Sequence, residues 1–209
     1  MLQLANLVGP EGRVIGVDMA PLLLDAARER ASGLGHISFI EGDAVVLDLT
    51  GESIDAFFSR FAVMAFPDPV AAFSNFRRML KPTGRLAFVC WRSLEENELD
   101  LLPLRAAGLE HLLDPTPFSF ADPRYVHATL EKVGFKDIRI SAHDQAVTSG
   151  DLDAMTTVLL KVGPLGRIVR ENPELRLSAE TRVRAAVATK GDPTRVALQT
   201  ATWIVSARA

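Results

Sequence analysis

Three stretches carry residue types that suit chemistry at the end of a strand. In the first, Arg13-Val14-Ile15-Gly16-Val17-Asp18, an apolar run ends in a carboxylate just before a helix start near Pro21. In nucleotide-binding sheets an acid at this place accepts hydrogen bonds from ribose hydroxyls. A helix cap or a solvated loop acid fits the same residue equally well. In the second, Phe39-Ile40-Glu41-Gly42-Asp43-Ala44, another apolar run ends in Gly-Asp. Asp43 could accept a bond from the exocyclic amine of a base. Gly42 would let the backbone come close, and the Ala44 amide could donate to a ring nitrogen. Asp43 follows Asp18 by 25 positions. If the two runs are consecutive parallel strands, both carboxylates lie on one edge of a sheet. The third stretch is Ile54 to Phe61 followed by Phe66-Pro67-Asp68-Pro69. Here a buried strand leads into an aromatic loop. Such a loop can floor an apolar pocket with a few polar handles, or it can be core aromatics plus a helix cap.

The elements that would hold these residues follow from the apolar pattern. Val14 to Val17, Ile37 to Ile40, Ile54 to Phe58, Leu86 to Trp91 and Trp203 to Val205 are short apolar runs. Most are continuous rather than alternating, which predicts strands covered on both faces in a mainly parallel sheet. Ile138 to Ile140 alternates and suits a more exposed strand. Helices are expected from Pro21 to Ala31, from the Asp68-Pro69 cap to Leu80, and from the Asp122-Pro123 cap to Gly134. Lys81-Pro82-Thr83-Gly84 reads as the turn that ends the second of these. Strands alternating with helices imply βαβ units with right-handed crossovers. Ser93 to Phe120, with Pro103, Pro115 and Pro117, reads as a long connection. Residues 150–195 read as two or three amphipathic helices; Leu152, Met155, Val158, Leu159 and Val162 recur at helical spacing. This segment is expected to cover the carboxyl edge of the sheet as a lid, against the alternative of peripheral packing.

Composition narrows the classes. The chain has 209 residues, 48% of them hydrophobic, and a net charge of −3. That fits one globular domain over residues 1–209 with a helical insertion at 150–195. It lacks the basic footprint of a nucleic-acid binder. Arg77, Arg78, Lys81 and Arg85 form the densest basic stretch and suit a helix end. The single cysteine, Cys90, excludes an intrachain disulfide and sits in an apolar run, as a buried thiol would. No apolar stretch approaches a membrane span, and no signal peptide is legible, so a cytoplasmic protein is expected. His36, His111, His127 and His143 form no close pair, which speaks against a metal. There is no P-loop and no nucleophile elbow.

The stretches "GRVIGVDMAP", "FIEGDA", "FFSRFAVMAFPDPVAAFSNFRRMLKPTGRLAFVCWR" and "ATWIVSARA" together resemble the class I S-adenosylmethionine-dependent methyltransferases. The similarity is to the small bacterial domains of the type 11 or ubiquinone/menaquinone-biosynthesis kind. The resemblance covers the order and spacing of residues 8–209, and the third stretch is its most specific part. It implies an α/β, Rossmann-like doubly wound sheet, mainly parallel, with an antiparallel C-terminal strand from Ala201 to Ala207. It implies S-adenosylmethionine as cofactor and a small-molecule methyl acceptor. By the same resemblance Asp18 would hold the ribose, and Met19 would pack on the adenine. Gly42, Asp43 and Ala44 would meet the adenine edge. Ser59, Arg60 and Phe61 would lie beside the methionine part. Catalytic residues remain unknown, because alignment of the reactants is the main requirement. For acceptors that need a base, His111, His127 and Tyr125 are candidates.

One departure from the family pattern has consequences. A ribose-binding acid sits about 20 residues after a glycine-rich loop begins, and 20 residues before Asp18 falls ahead of Met1. Met1 to Val8 instead reads as the tail of the helix that follows such a loop, and Gly33-Leu34-Gly35 as a plain turn. The expected sheet therefore lacks its first, central strand, between the strands ending at Asp18 and Ser59. Either these two strands close up, a second copy of the chain fills the gap in a homo-oligomer, or the fragment is marginal. Cofactor affinity is expected to be weak or absent. A truncated, catalytically silent domain, acting as a partner or arising from an incomplete gene model, is the main alternative function. A nicotinamide-dependent oxidoreductase of the same general fold is the weaker one, since no dinucleotide fingerprint is present.

Overall fold

A computed structural model describes residues 1–49 and 54–209. The apolar runs become β1 (Val14–Asp18), β2 (Ile37–Glu41), β3 (Ile54–Arg60), β4 (Leu80–Trp91) and β6 (Val196–Arg208), with β5 at Lys136–Gly150. Helix α1 (Leu2–Val8) precedes β1, α2 (Pro21–Arg30) joins β1 to β2, and α3 (Pro69–Met79) joins β3 to β4. Helices α4 (Glu98–Ala107) and α5 (Pro123–Lys132) lie between β4 and β5. Three more, α6 (Leu152–Leu159), α7 (Gly163–Glu171) and α8 (Arg176–Val187), lie between β5 and β6. Asp68, Asp122 and Asp151 cap α3, α5 and α6, each accepting a backbone N–H of the first turn. The first two of these caps were readable from Asp-Pro.

The strands form two sheets. β1 and β2 make a parallel pair, and the other four run in the order β3-β4-β6-β5. β3 and β4 are parallel, while β6 is antiparallel to both β4 and β5. The expected antiparallel final strand is thus present. β1 and β3 do not close up on one another: each is an edge strand with one neighbour.

Two apolar cores sit on the larger sheet. In the first, α3 and α5 pack Phe73, Phe76, Val126 and Leu130 against Leu86, Phe88, Cys90 and Val205. Rings run through it in series, Phe57 to Phe76 at 4.9 Å and Phe73 to Phe88 at 5.6 Å. Burial pushes the Cys90 thiol up to about 12, so it is the inert core thiol expected from its run. The second core joins α4, α6, α7 and α8 to Val196 and Leu198 of β6. The two-residue period explains how one strand serves both. Val205 and Ala207 turn to the first core, and Val196 and Leu198 to the second.

Three sequence expectations change. The continuous runs predicted cover on both faces, yet Phe58 and Ile204 are 50% and 44% exposed. An apolar run reports a strand's composition but not what lies over it. Lys81 to Gly84 does not stand outside the sheet as a separate turn. Two steps along β3, from Ile54 to Ala56, face five along β4, from Leu80 to Arg85, so these residues form a bulge within β4. The long connection after Ser93 contains the ten-residue helix α4, with Pro103 inside it. Its buried Asp100, Pro103, Leu104 and Ala107 have helical spacing, but a mid-helix proline normally argues against a helix.

Asn97 fixes where α4 starts. Its side chain is fully buried and bonds the backbone of β6 in both directions. Ala201 N donates to Oδ1 at 2.8 Å, and Nδ2 donates to Ala201 O at 3.0 Å. Nδ2 also donates to Ser93 O at 2.9 Å. The amide thus continues the ladder where β4 ends at Trp91. Asn97→Leu has similar bulk but orphans the buried Ala201 N–H. It is expected to lower stability by roughly 1–3 kcal/mol in urea titration. A loss below about 0.5 kcal/mol would show that the amide is not the anchor.

Candidate functional site

The two candidate acids end adjacent parallel strands. Asp18 pairs in register with Glu41, and Gly42 N donates to Asp18 O at 3.0 Å. Asp43 stands one residue further on, so both carboxyl groups belong to the carboxyl edge of the β1–β2 pair. Each also closes a local turn. Asp18 Oδ1 accepts from Ala20 N, and Asp43 Oδ1 accepts from Val45 N, both at 2.8 Å. The turn-forming alternative is therefore realised, and it uses one oxygen of each carboxylate. Met19 beside Asp18 is 67% exposed. A Cβ at Gly42 would meet no atom within 4 Å, so the backbone there is open to approach. Ala44 packs on the first core, and its carbonyl accepts from Asn75 Nδ2 at 3.4 Å.

Ser59, Arg60 and Phe61 do not act as one group. Ser59 and Arg60 are consecutive strand residues and face opposite sides of the sheet. Phe61 follows β3 with φ 56°, the left-handed region, which costs a bulky residue about 1–3 kcal/mol. Two contacts hold it there. Its N–H donates to Val89 O at 2.9 Å, and its ring stacks on Trp91 at 4.2 Å. The Arg60 guanidinium lies 5.9 Å from the same ring.

Phe61 and Trp91 mark the carboxyl ends of β3 and β4, and both line a cavity of about 490 Å³. Met64, Leu112, Leu113 and Ile168 add apolar wall, and Arg167 and Glu171 of α7 close the far side. Of the 150–195 segment, α7 thus lies over the carboxyl ends of β3 and β4. Met155 and Leu159 of the segment's apolar stripe are buried, while Val162 is 59% exposed because it precedes α7 as its cap.

Sequence reasoning missed the most unusual group in this cavity. Asp100 on α4 is only 7% exposed and lines the wall. Its carboxylate accepts no hydrogen bond from any described residue. A Cβ at Gly163 would come within 2.8 Å of its Oδ1, and the left-handed φ of +70° favours glycine at this start of α7. The available signal was Asp100 standing in phase with Leu104 and Ala107. The candidate bases fare differently. His111, Tyr125 and His127 are exposed and none lines this cavity. Tyr125 instead borders a neighbouring groove of about 420 Å³ with Asp122 and Phe120. His127 faces Glu131 across 3.8 Å.

Burial pushes the Asp100 carboxyl from its ordinary 3.8 up to about 6. The folded chain thus holds this proton more tightly than the unfolded chain. Stability is full below about pH 4 and falls as pH rises through about 6. At 1.36 kcal/mol per unit the loss approaches about 3 kcal/mol at pH 8. Asp100→Asn stays neutral, so at pH 8 it should exceed the parent chain in stability by up to that amount. At pH 4 the two should agree. Urea titrations at both pH values decide this, and an equal difference at both would rule out ionisation of Asp100 as its source.

Comparisons with known proteins agree with this architecture. The family profile described as "Methyltransferase domain" matches residues 1–88. A demethylmenaquinone methyltransferase of Staphylococcus carnosus is 24% identical over 169 residues, covering 71% of this chain and 68% of that protein. A protein of the same description from Staphylococcus aureus is 30% identical over 83 residues, covering 40% of this chain and 34% of its own length. Among solved structures, a methyltransferase-like protein from Bacillus halodurans matches 94% of this chain and 82% of its own, with TM-score 0.58 and 18% identity. A phosphoethanolamine N-methyltransferase of Haemonchus contortus, solved with S-adenosylhomocysteine, matches 94% of this chain and 44% of its own, with TM-score 0.56 and 16% identity.

Proposed function

We propose that the chain is a class I S-adenosylmethionine-dependent methyltransferase, as its similarity over residues 1–88 to the methyltransferase domain and its likeness to demethylmenaquinone methyltransferases support, and that it transfers a methyl group to a small-molecule acceptor. The observation that carries the reading is the placement of Asp18 and Asp43 side by side on one strand edge, each with a carboxylate oxygen outside its local turn. The residues fit the nucleoside end of the cofactor. Asp18 would take the ribose hydroxyls, and exposed Met19 would cover one face of the adenine. Asp43, with the open backbone of Gly42 and Ala44, would take the adenine edge. Phe61, held by Trp91, would border the methionine end with its ring, and Ser59 and Arg60 would border it through the backbone at the end of β3. When bound, S-adenosylmethionine supplies a methyl group already activated on a sulfonium. The chain's own task is then to orient the acceptor and exclude water.

The reading takes residues 1–209 as one domain, with residues 150–195 as the insertion that closes over the acceptor. It places the protein in the cytoplasm, without nucleic acid as a partner; the net charge of −3 supports the second point. Among the described residues no helix is long and apolar enough to cross a membrane. In a homo-oligomer a second copy of the chain would pair along β1 or β3, each of which has one ladder neighbour among the described residues.

Calorimetry with S-adenosylhomocysteine tests the assignment. Weak but saturable binding is expected. Asp18→Ala and Asp43→Ala should each weaken it about tenfold or more, since each removes a charge-assisted hydrogen bond. No saturable binding by a folded parent chain would favour the catalytically silent alternative. Binding that survives both substitutions would move the cofactor away from this edge.

A further inference from the structure

We propose that the cavity between α7 and the ends of β3 and β4 binds a compact apolar ligand that carries an amine, with Asp100 as the group that selects it. This rests on the methyltransferase reading for the ligand's role as acceptor, but not for its binding. Three observations point the same way.

The first is the unpaired carboxylate. A buried acid without a donor is a cost to the fold, and an ionised one accepts bonds but cannot make them. Asp100 lines the cavity and has no hydrogen-bond partner among the described residues, so its oxygens are open to water or to a donor on a ligand that displaces it. Its raised pKa of about 6 leaves it mostly ionised at neutral pH.

The second is the charge of the wall. Asp100, Asp114 and Glu171 face the cavity together with one cation, Arg167. Arg167 is already held by Asp114 and by Glu171 at 2.9 Å. Three carboxylates against one guanidinium leave an excess of two negative charges. A neutral hydroxyl would satisfy Asp100's geometry but not this excess, and an anion would oppose it.

The third is the aromatic pair. Phe61 and Trp91 are stacked at 4.2 Å and both line the same space. Aromatic faces attract cations and pack flat apolar groups. The volume of about 490 Å³ admits a ligand of one or two rings.

The test uses three probes that share a ring: 1-naphthylmethylamine, 1-naphthalenemethanol and 1-naphthoic acid, titrated calorimetrically into the full 209-residue chain at pH 7.5. The amine should bind at least tenfold more tightly than the alcohol, and the acid most weakly. Asp100→Asn keeps the shape of the site and should reduce the amine's advantage to about twofold. The alcohol should bind the variant as it binds the parent, which shows that the pocket is intact. Leu112→Trp, at a partly exposed wall position, should weaken all three probes by filling the cavity. Equal affinity for amine and alcohol in the parent overturns the proposal. So does an amine advantage that survives Asp100→Asn, insensitivity to Leu112→Trp, or no saturable binding of any probe. S-adenosylhomocysteine titrated separately keeps the two readings apart. Selective amine binding without cofactor binding upholds this site and removes its methyltransferase role. Cofactor binding without amine selectivity does the reverse.

Discussion

The pairing of Asn97 with the backbone of Ala201 is the constraint on which the upper half of the molecule depends. β4 leaves the ladder at Trp91, opposite Thr202, and the next residues of β6 would face an empty edge. Arg92 N donates to Ala201 O at 3.0 Å, and the Asn97 amide completes the exchange. A side chain thereby acts as a strand partner in a fully buried place, where an orphaned N–H would be costly. The consequence reaches the cavity. Asn97 O accepts from Asp100 N at 3.2 Å and from Leu101 N at 2.9 Å, so the anchored residue also begins α4. Asp100 is therefore placed by the sheet, one helical turn from a backbone contact, rather than by a loose loop.

The nucleoside edge is held more lightly. Among the described residues the β1–β2 pair shares no ladder with the larger sheet. Its link runs through the segment after Asp43, where Asn75 of α3 donates to Leu47 O at 2.8 Å and Arg78 meets Asp48 at 3.2 Å. Val45 and Leu49 pack on the first core. Surface ion pairs of this kind contribute little, so Asn75 and these two apolar side chains set the distance between the acids and Phe61.

Much of this arrangement was legible in the sequence. Apolar runs located five strands, and the Asp-Pro caps located α3 and α5, because local rules govern them. The relation of Asp18 to Asp43 followed from strand direction alone. What failed was non-local. Nothing in Phe58 or Ile204 tells which face a neighbour covers. Pro103 concealed α4, although the helix accepts it in its second turn. Asp100 was passed over because a carboxylate among leucines reads as a solvated break in the stripe. Its burial arises only when α7 folds over it, from more than 60 positions away.

That burial is also the strongest physical argument for a function in the cavity. Folding gains nothing from an ionised, unpaired acid, and a leucine or asparagine at position 100 would serve packing better. Phe61 presents a second cost nearby, a left-handed backbone held open by stacking on Trp91. Strain and unpaired charge each cost on the order of 1–3 kcal/mol. Here both converge on the walls of one apolar space at the carboxyl ends of β3 and β4. A core built only for stability would relax them. A site that must grip a ligand with its own donor and its own π-facing surface has a reason to keep both, and the ligand's arrival is what offsets them.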